Sequence, residues 1–131
     1  MINYNFEEFT EAGGRFRPVI SLGAKSGFGL SSGFTSAYES DVNGAVGVKL
    51  FYDKEKNAVA FQFCKETMPG MVGLKLRDKG GYISAQSFIG RFRIEQKKYA
   101  GRYEPKRESH GTIGTIFVID LQDNGGKVEV Q

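Results

Sequence analysis

Residues 20–38 read ISLGAKSGFGLSSGFTSAY, and residues 74–92 read LKLRDKGGYISAQSFIGRF. When the two stretches are aligned at a constant offset of 54, apolar positions coincide, as Phe34 does with Phe88. A turn glycine also coincides with a turn glycine. Because self-similarity at a fixed period is the sequence signature of a repeated structural unit, the two stretches predict an internal duplication.

The similarity continues beyond these stretches, because AVAFQF (58–63) resembles IFVIDL (116–121) at an offset of 58. The two similar halves of the predicted duplication therefore cover about residues 19–63 and 73–121. Residues 122–131 follow the second half, and we expect them to supply the last strand of a C-terminal hairpin.

The whole chain, residues 1–131, is predicted to form a single domain, because this length suffices for one hydrophobic core. Eighteen glycines and only three prolines favour short strands joined by tight turns. Residues 1–14 are expected to form an amphipathic N-terminal arm, which Tyr4, Phe6 and Phe9 pin to the rest of the fold.

Each half has the same predicted order of elements: a strand, a glycine turn, a short strand, a short helix and two further strands. Alternating apolar residues predict the first strand in RFRPVISL (15–22). Aromatic residues at i and i+4 predict a helix in SSGFTSAYES, capped by Ser31 or Ser32, and another in AQSFIGRF. The stretch AGRYEPKRESHG (100–111) is expected to be a long polar connection.

Many short amphipathic strands must hide their edges, and closure into a barrel does so. Two similar halves can close on each other about a pseudo-twofold axis, and the eleven phenylalanines would fill the interior. We therefore predict a mainly β fold: a small barrel built from two similar halves, with one short helix per half.

Gly27, Gly29 and Gly33 lie among small hydroxyl residues, which is also the composition of a phosphate-binding loop. Such a loop needs several glycines before the start of a helix, and the second half keeps only the first of the three. We therefore expect hairpin turns at Lys25–Gly27 and Lys79–Gly81, in which glycine supplies a positive φ.

The order of elements, with GFGLSSGF and GYISAQSF at corresponding places, resembles the swapped-hairpin unit of the AbrB/MazE/MraZ superfamily. The resemblance covers Val19–Phe63 and Leu74–Leu121, and Arg91 lies near the position of an arginine in the family's helix. In that superfamily two units interleave into one barrel, either in a dimer or, in MraZ, as a tandem repeat. Its members are mostly DNA-binding transcription factors and antitoxins, so the resemblance implies a DNA-binding barrel.

The composition excludes several classes of protein. No run of eighteen apolar residues is present, so we expect no membrane partner. The start MINYNFEEFTEAG has no pattern of a secretory signal, and the single cysteine, Cys64, excludes an internal disulfide. We therefore expect a reducing, cytoplasmic location.

Catalytic and metal-binding patterns are not found in the sequence. His110, the only histidine, lies in the polar stretch KRESHGTIG and is expected to be a solvated loop residue. Cys64 follows an apolar run and is expected to be buried or at a strand end. One histidine and one cysteine do not make a metal site. We predict no catalytic residue, no metal and no cofactor, and hence a protein that is not an enzyme.

Charge is concentrated in one segment of the chain. Residues 1–64 carry six Lys/Arg and seven Asp/Glu, residues 65–107 carry eleven and four, and residues 108–131 carry one and four. The net charges are therefore −1, +7 and −3, within a total of +3. Because core geometry does not require this asymmetry, we predict a basic face on the second half that binds a polyanion.

The predicted binding site consists of the cations of that segment and of tyrosines among them that can stack on bases. Lys75, Arg77 and Lys79 alternate with apolar residues and are expected to share one strand face opposite the core. The complete set is Lys75, Arg77, Lys79, Arg91, Arg93, Lys97, Lys98, Arg102, Lys106, Arg107, Tyr82, Tyr99 and Tyr103.

The leading functional prediction is a non-enzymatic nucleic-acid-binding protein, a transcriptional or phage-associated regulator, that binds DNA or RNA as a monomer or a homodimer. The alternative is a protein-interaction or scaffold barrel whose basic face binds an acidic protein partner. A less favoured alternative is an anion- or nucleotide-binding enzyme that uses the Gly27–Gly33 loop.

Overall fold

The computed structural model describes residues 3–8, 17–121 and 127–128. Of these described residues, 38% lie in strands and 18% in helices, which confirms the prediction of a mainly β fold. The strands form two antiparallel sheets, and four short helices lie between strands in the chain. Each half therefore contains two short helices in succession, where the sequence predicted one.

No strand or helix of the described residues is longer than seven residues, as expected for a chain with many turns. In chain order the elements are β1 (Ile20–Leu22), β2 (Phe28–Leu30), α1 (Ser32–Ala37), α2 (Glu39–Val42), β3 (Gly47–Asp53), β4 (Ala58–Cys64), β5 (Leu74–Leu76), β6 (Gly81–Ile83), α3 (Gln86–Arg91), α4 (Gln96–Tyr99), β7 (Gly101–Tyr103), β8 (Lys106–His110), β9 (Gly114–Asp120) and β10 (Lys127–Val128).

The two sheets are each built from both parts of the chain. One sheet has six strands in the order β10-β7-β1-β2-β6-β5, and the other has four in the order β3-β4-β9-β8. Within the first sheet β2 pairs with β6, and within the second β4 pairs with β9, both antiparallel. Each of these pairings joins a strand of residues 19–63 to a strand of residues 73–121.

Strand β1 shows why these sequences form half-buried strands. Ile20 and Leu22 are buried, whereas Ser21 between them is half-exposed, because successive side chains of a strand point to opposite faces. Phe28 and Leu30 are buried in β2 in the same way. The alternation of apolar residues therefore identifies the inward faces of both strands.

Aromatic rings make up much of the core. The rings of Phe28 and Phe61 meet edge to face with centroids 4.9 Å apart, and Phe34 and Phe117 do so at the same distance. All four residues are at most 1% exposed. Edge-to-face pairs stabilise a core by about 0.5–1.5 kcal/mol beyond the burial of area, which gives the phenylalanine content its structural role.

The first helix of each half forms as the sequence predicts. Ser31 caps α1, because its Oγ accepts a hydrogen bond from Phe34 N at 3.0 Å and so satisfies a donor of the first turn. The rings of Phe34 and Tyr38 lie 5.1 Å apart. Those of Phe88 and Phe92 lie 5.2 Å apart at the end of α3. The i, i+4 pairs are confirmed in both helices.

Both predicted glycine turns are present, but glycine serves a different purpose in each. In the second turn, Arg77 N donates a hydrogen bond to Gly80 O at 3.0 Å, and Gly80 has a φ of +90°. Gly27, in the first turn, does not have a positive φ, and a Cβ there would overlap the backbone oxygen of Ile83. The predicted positive φ at Gly27 is therefore wrong, and the close approach of β2 to β6 is what requires glycine.

The stretch 100–111, predicted as a polar connection, contains the strands β7 and β8. β7 pairs with β1, and β8 pairs with β9. All five residues of β8, an edge strand of the four-stranded sheet, are exposed. An alternating pattern requires one buried face, so the sequence of β8 carries no such signal.

The described terminal segments differ from their predictions. β10 pairs with β7 in the six-stranded sheet rather than forming a hairpin with β9. Tyr4 and Phe6 are 68% and 85% exposed, and their rings stack on each other 5.1 Å apart. These two residues therefore do not pin the arm to the fold, and Phe9 lies outside the described residues.

Candidate functional site

A cleft of about 840 Å³ lies between the turn of the β3–β4 hairpin and the segment that joins α3 to α4. Its volume is in the range of ligand-binding sites. It brings three residues of the predicted site together with residues from the first half of the chain. The cleft is lined by Tyr52, Lys54, Glu55, Asn57, Arg91, Phe92, Arg93, Ile94, Glu95 and Tyr99.

One wall of the cleft is formed where α3 ends. Phe92 caps the helix, Arg93 N donates a hydrogen bond to Gly90 O at 3.3 Å, and Ile94 N donates one to Ile89 O at 3.0 Å. This pair of bonds is the pattern of the Schellman motif. Ile94 is buried and anchors the turn, so the motif fixes where the residues on either side of Phe92 lie.

Arg93 adopts an unusual backbone conformation, with a φ of +52°. Helices usually carry glycine at this position of the motif, and another residue there costs of order 1 kcal/mol. Arg93 and Asn57 are the two non-glycine residues with positive φ in the described part of the chain, and both line the cleft. Because such outliers concentrate at functional sites, they mark the cleft as the candidate site.

Phe92 presents an exposed aromatic ring in the cleft. The residue is 39% exposed, although its ring lies 5.2 Å from the rings of both Tyr52 and Phe88. The guanidinium carbon of Arg91 lies 5.3 Å from the centre of the Phe92 ring, within the range of a cation–π interaction. The ring is therefore held by the core on one side and remains accessible on the other.

Tyr52 lines the cleft from the β3–β4 hairpin, with its ring in contact with that of Phe92. Its hydroxyl donates a hydrogen bond to Asn57 Oδ1 at 2.6 Å. Burial raises the pKa of Tyr52, and interactions with Tyr99 and Asp53 raise it further. Tyr52 is therefore protonated at neutral pH, and its hydrogen bond helps to hold the turn of the hairpin in place.

The cleft carries charges of both signs. Arg91, Arg93 and Lys54 supply three cations, and Glu55 and Glu95 supply two carboxylates, for a net charge of +1. None of these five residues takes part in the ion pairs found among the described residues, which involve other side chains. Their charges are therefore available to a charged ligand.

Helix α4 continues the positive charge beyond the cleft. Lys97 and Lys98 are exposed, and Lys98 Nζ lies 5.3 Å from the centre of the Tyr99 ring. Gln96 Nε2 donates hydrogen bonds to two backbone oxygens of the β1–β2 loop, at 3.0 and 2.7 Å. These bonds tie the short helix to the sheet and so position its lysines beside Tyr99.

The cations around β5 form a second group. β5 ends at Leu76, so Lys75 lies on the strand, whereas Arg77 and Lys79 lie in the turn that Gly80 closes. The expected common strand face is therefore wrong for Arg77 and Lys79, because the chain turns before the alternation continues. All three cations are exposed.

A third group lies on β7 and β8 and consists of Arg102, Lys106 and Arg107. Arg107 donates hydrogen bonds to both carboxylate oxygens of Asp41, at 3.0 and 3.2 Å. The hydrogen bonding and the charge of Asp41 raise the pKa of Arg107. Three strands separate β5 from β7 in the six-stranded sheet, which is about 19 Å measured along the sheet. The predicted cations therefore form three groups rather than one face.

The three predicted tyrosines lie in three different environments. Tyr103 is fully buried, and its hydroxyl donates a hydrogen bond to the backbone oxygen of Tyr99 at 2.6 Å. Burial, and then the interaction with Tyr99, raise the pKa of Tyr103. A buried ring cannot stack on a base, so Tyr103 belongs to the core. Tyr82 is half-buried and accepts a hydrogen bond from Gly27 N at 2.8 Å, and only Tyr99 of the three lines the cleft.

The glycines of the first half are engaged in the fold. Gly27 is buried, Gly29 is paired with Ser21 on one side and Tyr82 on the other, and Gly33 is buried in α1. A phosphate-binding loop must present free backbone N–H groups. These contacts favour a structural role for the three glycines.

The two residues considered for nucleophilic catalysis lie apart from the cleft. His110 is exposed, at the end of β8 rather than in a loop, and Cys64 is buried at the end of β4, as predicted. The described residues contain no group of three or more His, Cys, Asp or Glu side chains that could hold a metal ion. In the same part of the chain, no helix is long and apolar enough to cross a membrane.

Seven of the ten residues that line the cleft lie outside the predicted binding site, among them Phe92, Tyr52 and Lys54. The sequence pattern identified Phe92 only as the helical partner of Phe88, and it did not single out Tyr52 or Lys54 of the first half. An aromatic residue between two arginines at the end of a helix, RFR (91–93), is the signal that would have found Phe92. Tyr52 and Lys54 reach the cleft only through tertiary structure.

The chain matches no protein-family model, and no curated protein or solved structure matches it. The resemblance to the AbrB/MazE/MraZ superfamily therefore stays a prediction. Because a fold alone does not determine a function, the functional argument depends on the residues of the cleft.

Proposed function

We propose that this protein is a non-enzymatic nucleic-acid-binding protein and that the cleft between the β3–β4 turn and the α3–α4 segment is its binding site. The observation that carries the proposal is the exposed sequence Arg91-Phe92-Arg93, which lines the cleft together with Lys54. Cations beside an accessible aromatic ring are the combination that binds a phosphate backbone and its bases.

The cations account for affinity in this proposal. Each Lys or Arg that neutralises a phosphate releases a condensed counterion, and this release favours binding at low salt. Arg91, Arg93 and Lys54 would contact phosphates at the cleft, and Lys97 and Lys98 of α4 would extend the contact along the strand. The groups on β5–β6 and on β7–β8 lie elsewhere and are not part of the proposed site.

We also propose that the chain is an internal duplication. In the β2–β6 pairing, Phe28 lies opposite Ile83 and Gly29 lies opposite Tyr82. The offset of 54 carries Phe28 to Tyr82 and Gly29 to Ile83, so it exchanges the two pairs as a local twofold axis would. The register therefore supports two related halves that pair through equivalent strands.

Closure of the two sheets into a barrel is the second part of this fold proposal. On one side, the chain passes from β7 in the six-stranded sheet to β8 in the four-stranded sheet with only two residues between them. On the other side, Val48 of β3 forms an antiparallel bridge with Val72, which precedes β5. These two connections support a closed arrangement that leaves few free edges.

The proposal is tested by fluorescence anisotropy with labelled single- and double-stranded DNA and RNA, at low and then moderate salt. We expect binding that weakens log-linearly with salt concentration. The double variant Arg91→Ala/Arg93→Ala should bind at least tenfold more weakly and lower the salt slope by about one for each arginine. The matched control Lys75→Ala/Lys79→Ala removes two exposed cations outside the cleft and should retain the affinity.

Two results would contradict the proposal. If no nucleic acid binds even at low salt, the basic groups serve another partner, and an acidic protein becomes the leading candidate. If both double variants lose the same affinity, binding depends on total charge and not on the cleft.

A further inference from the structure

The cleft contains aromatic residues in addition to its charged ones. Phe92, Tyr52 and Tyr99 provide three rings, and Phe92 is the one whose exposure reaches 39%. A single exposed apolar residue is common on protein surfaces, but Phe92 lies in a cleft beside two further rings and three cations, so its ring is accessible to a ligand there. The accessible part of the Phe92 ring is not needed by the core, because the ring already packs against Tyr52 and Phe88.

The two carboxylates of the cleft limit what can lie beside them. Glu55 and Glu95 repel a phosphate, but a carboxylate accepts hydrogen bonds from the amino groups of bases such as cytosine. A nucleotide therefore fits the cleft best when its base lies among the rings and carboxylates. Its phosphates would then lie against Arg91, Arg93 and Lys54.

We infer that the cleft binds single-stranded nucleic acid by stacking a base on Phe92. This inference depends on the proposed function and specifies its substrate. The flat face of a base packs on the accessible part of the Phe92 ring, and the Arg91 guanidinium, now 5.3 Å from that ring, stacks beside the base or pairs with its phosphate. Stacking of this kind tolerates all bases, since each has a π face.

A duplex does not satisfy this geometry. In a double helix the faces of the bases are covered by their neighbours, and only base edges are presented in the grooves. Phe92 is a ring without hydrogen-bonding groups and cannot recognise an edge by donor or acceptor. The short helices α3 and α4, of six and four residues, also do not provide a long recognition helix of the kind that enters the major groove.

The test compares a labelled single strand of about 12 nucleotides, a length within the site sizes of single-strand binders, with a duplex of the same sequence. We expect the wild type to bind the single strand at least tenfold more tightly than the duplex at equal salt. The variant Phe92→Leu should lower the affinity for the single strand by about fivefold to a hundredfold. Its salt slope should not change, because no charge is removed.

Phe51→Leu is the matched control. Phe51 is also a phenylalanine with a cation over its ring, since Lys49 Nζ lies 5.8 Å from the ring centre. It lies on β3 beside Tyr52 but does not line the cleft. We expect this variant to bind as the wild type does. Phe92→Tyr keeps a ring and should also retain the affinity for the single strand.

A measurement on the wild type keeps the test decisive even if Phe92→Leu does not fold. The chain has six tyrosines and no tryptophan, and Tyr52 and Tyr99 line the cleft. The unlabelled single strand should therefore quench tyrosine fluorescence, whereas the duplex should not.

Equal binding of single strand and duplex, equal quenching by both, or an unchanged affinity of a folded Phe92→Leu would overturn this inference and leave the proposed function in place. Failure of every nucleic acid to bind would overturn both.

Discussion

Arg93 is held in a backbone conformation that arginine intrinsically disfavours. Its φ of +52° lies in the region that glycine adopts most easily. The two hydrogen bonds of the Schellman motif and the buried Ile94 hold the residue there. An arginine in this place is costly for stability, and we attribute its presence to ligand binding.

We expect Arg93→Gly to raise the free energy of unfolding by about 1 kcal/mol, because glycine removes the left-handed strain but adds some freedom to the unfolded chain. The same variant should bind nucleic acid more weakly, because a cation is lost. Urea denaturation and fluorescence anisotropy measure the two effects.

Arg93→Ala is the control for this prediction. Alanine removes the charge but keeps the Cβ, so it should lose the same affinity without the gain in stability. If Arg93→Gly and Arg93→Ala were equally stable, the left-handed conformation of Arg93 would not be strained.

Among the secondary-structure elements, α1 depends most clearly on one side chain. Ser31 Oγ accepts hydrogen bonds from Phe34 N at 3.0 Å and from Val19 N at 2.9 Å, and it donates one to Arg17 O at 2.9 Å. The same hydroxyl therefore caps the helix and ties it to the segment that enters β1.

We expect Ser31→Ala to lower the free energy of unfolding by about 1–2 kcal/mol. The change removes the acceptor of Val19 N and leaves Phe34 N with only its bond to the backbone oxygen of residue 31. Ser36→Ala, an exposed change in the same helix, should stay within about 0.5 kcal/mol of the wild type. The two variants are compared by urea denaturation. A similar loss in both would show that the Ser31 cap does not stabilise α1.

The elements that the sequence predicted are those whose pattern is local. The alternation in β1 and the aromatic pair Phe34–Tyr38 follow from which residues face the core, so they appear in the sequence. β8 has five exposed residues and β7 has only three residues, and their formation depends on pairing with β9 and β1. β7 pairs with the distant β1, whereas β8 forms a local hairpin with β9 but has no buried face, so neither strand leaves a periodic signal.

The candidate site was predictable in composition but not in arrangement. Of the residues that the basic segment predicted for the site, Arg91, Arg93 and Tyr99 line one cleft. The predicted set also included Tyr103, which the hydrophobic core requires. Separation along the sequence does not determine distance in space. Only the order of strands in the sheet shows that three strands separate the cations near β5 from those on β7.

For the molecule as a whole, the basic segment is spread over both sheets and the helices α3 and α4, and its part around Arg91–Arg93 borders the cleft described above. The cleft is lined there by two exposed arginines, an accessible phenylalanine and two tyrosines. At the offset of the proposed duplication, the corresponding positions of the first half are Ala37, Tyr38 and Glu39, which supply no cation.

Mapping the amide signals of the ¹⁵N-labelled protein during titration with a short single-stranded DNA tests the location of binding most directly. We expect the largest chemical-shift changes in residues 52–57 and 91–99, which surround the cleft, and small changes elsewhere. Changes centred on residues 75–81 or on β7 and β8, or no change at a saturating concentration of DNA, would contradict binding at the cleft.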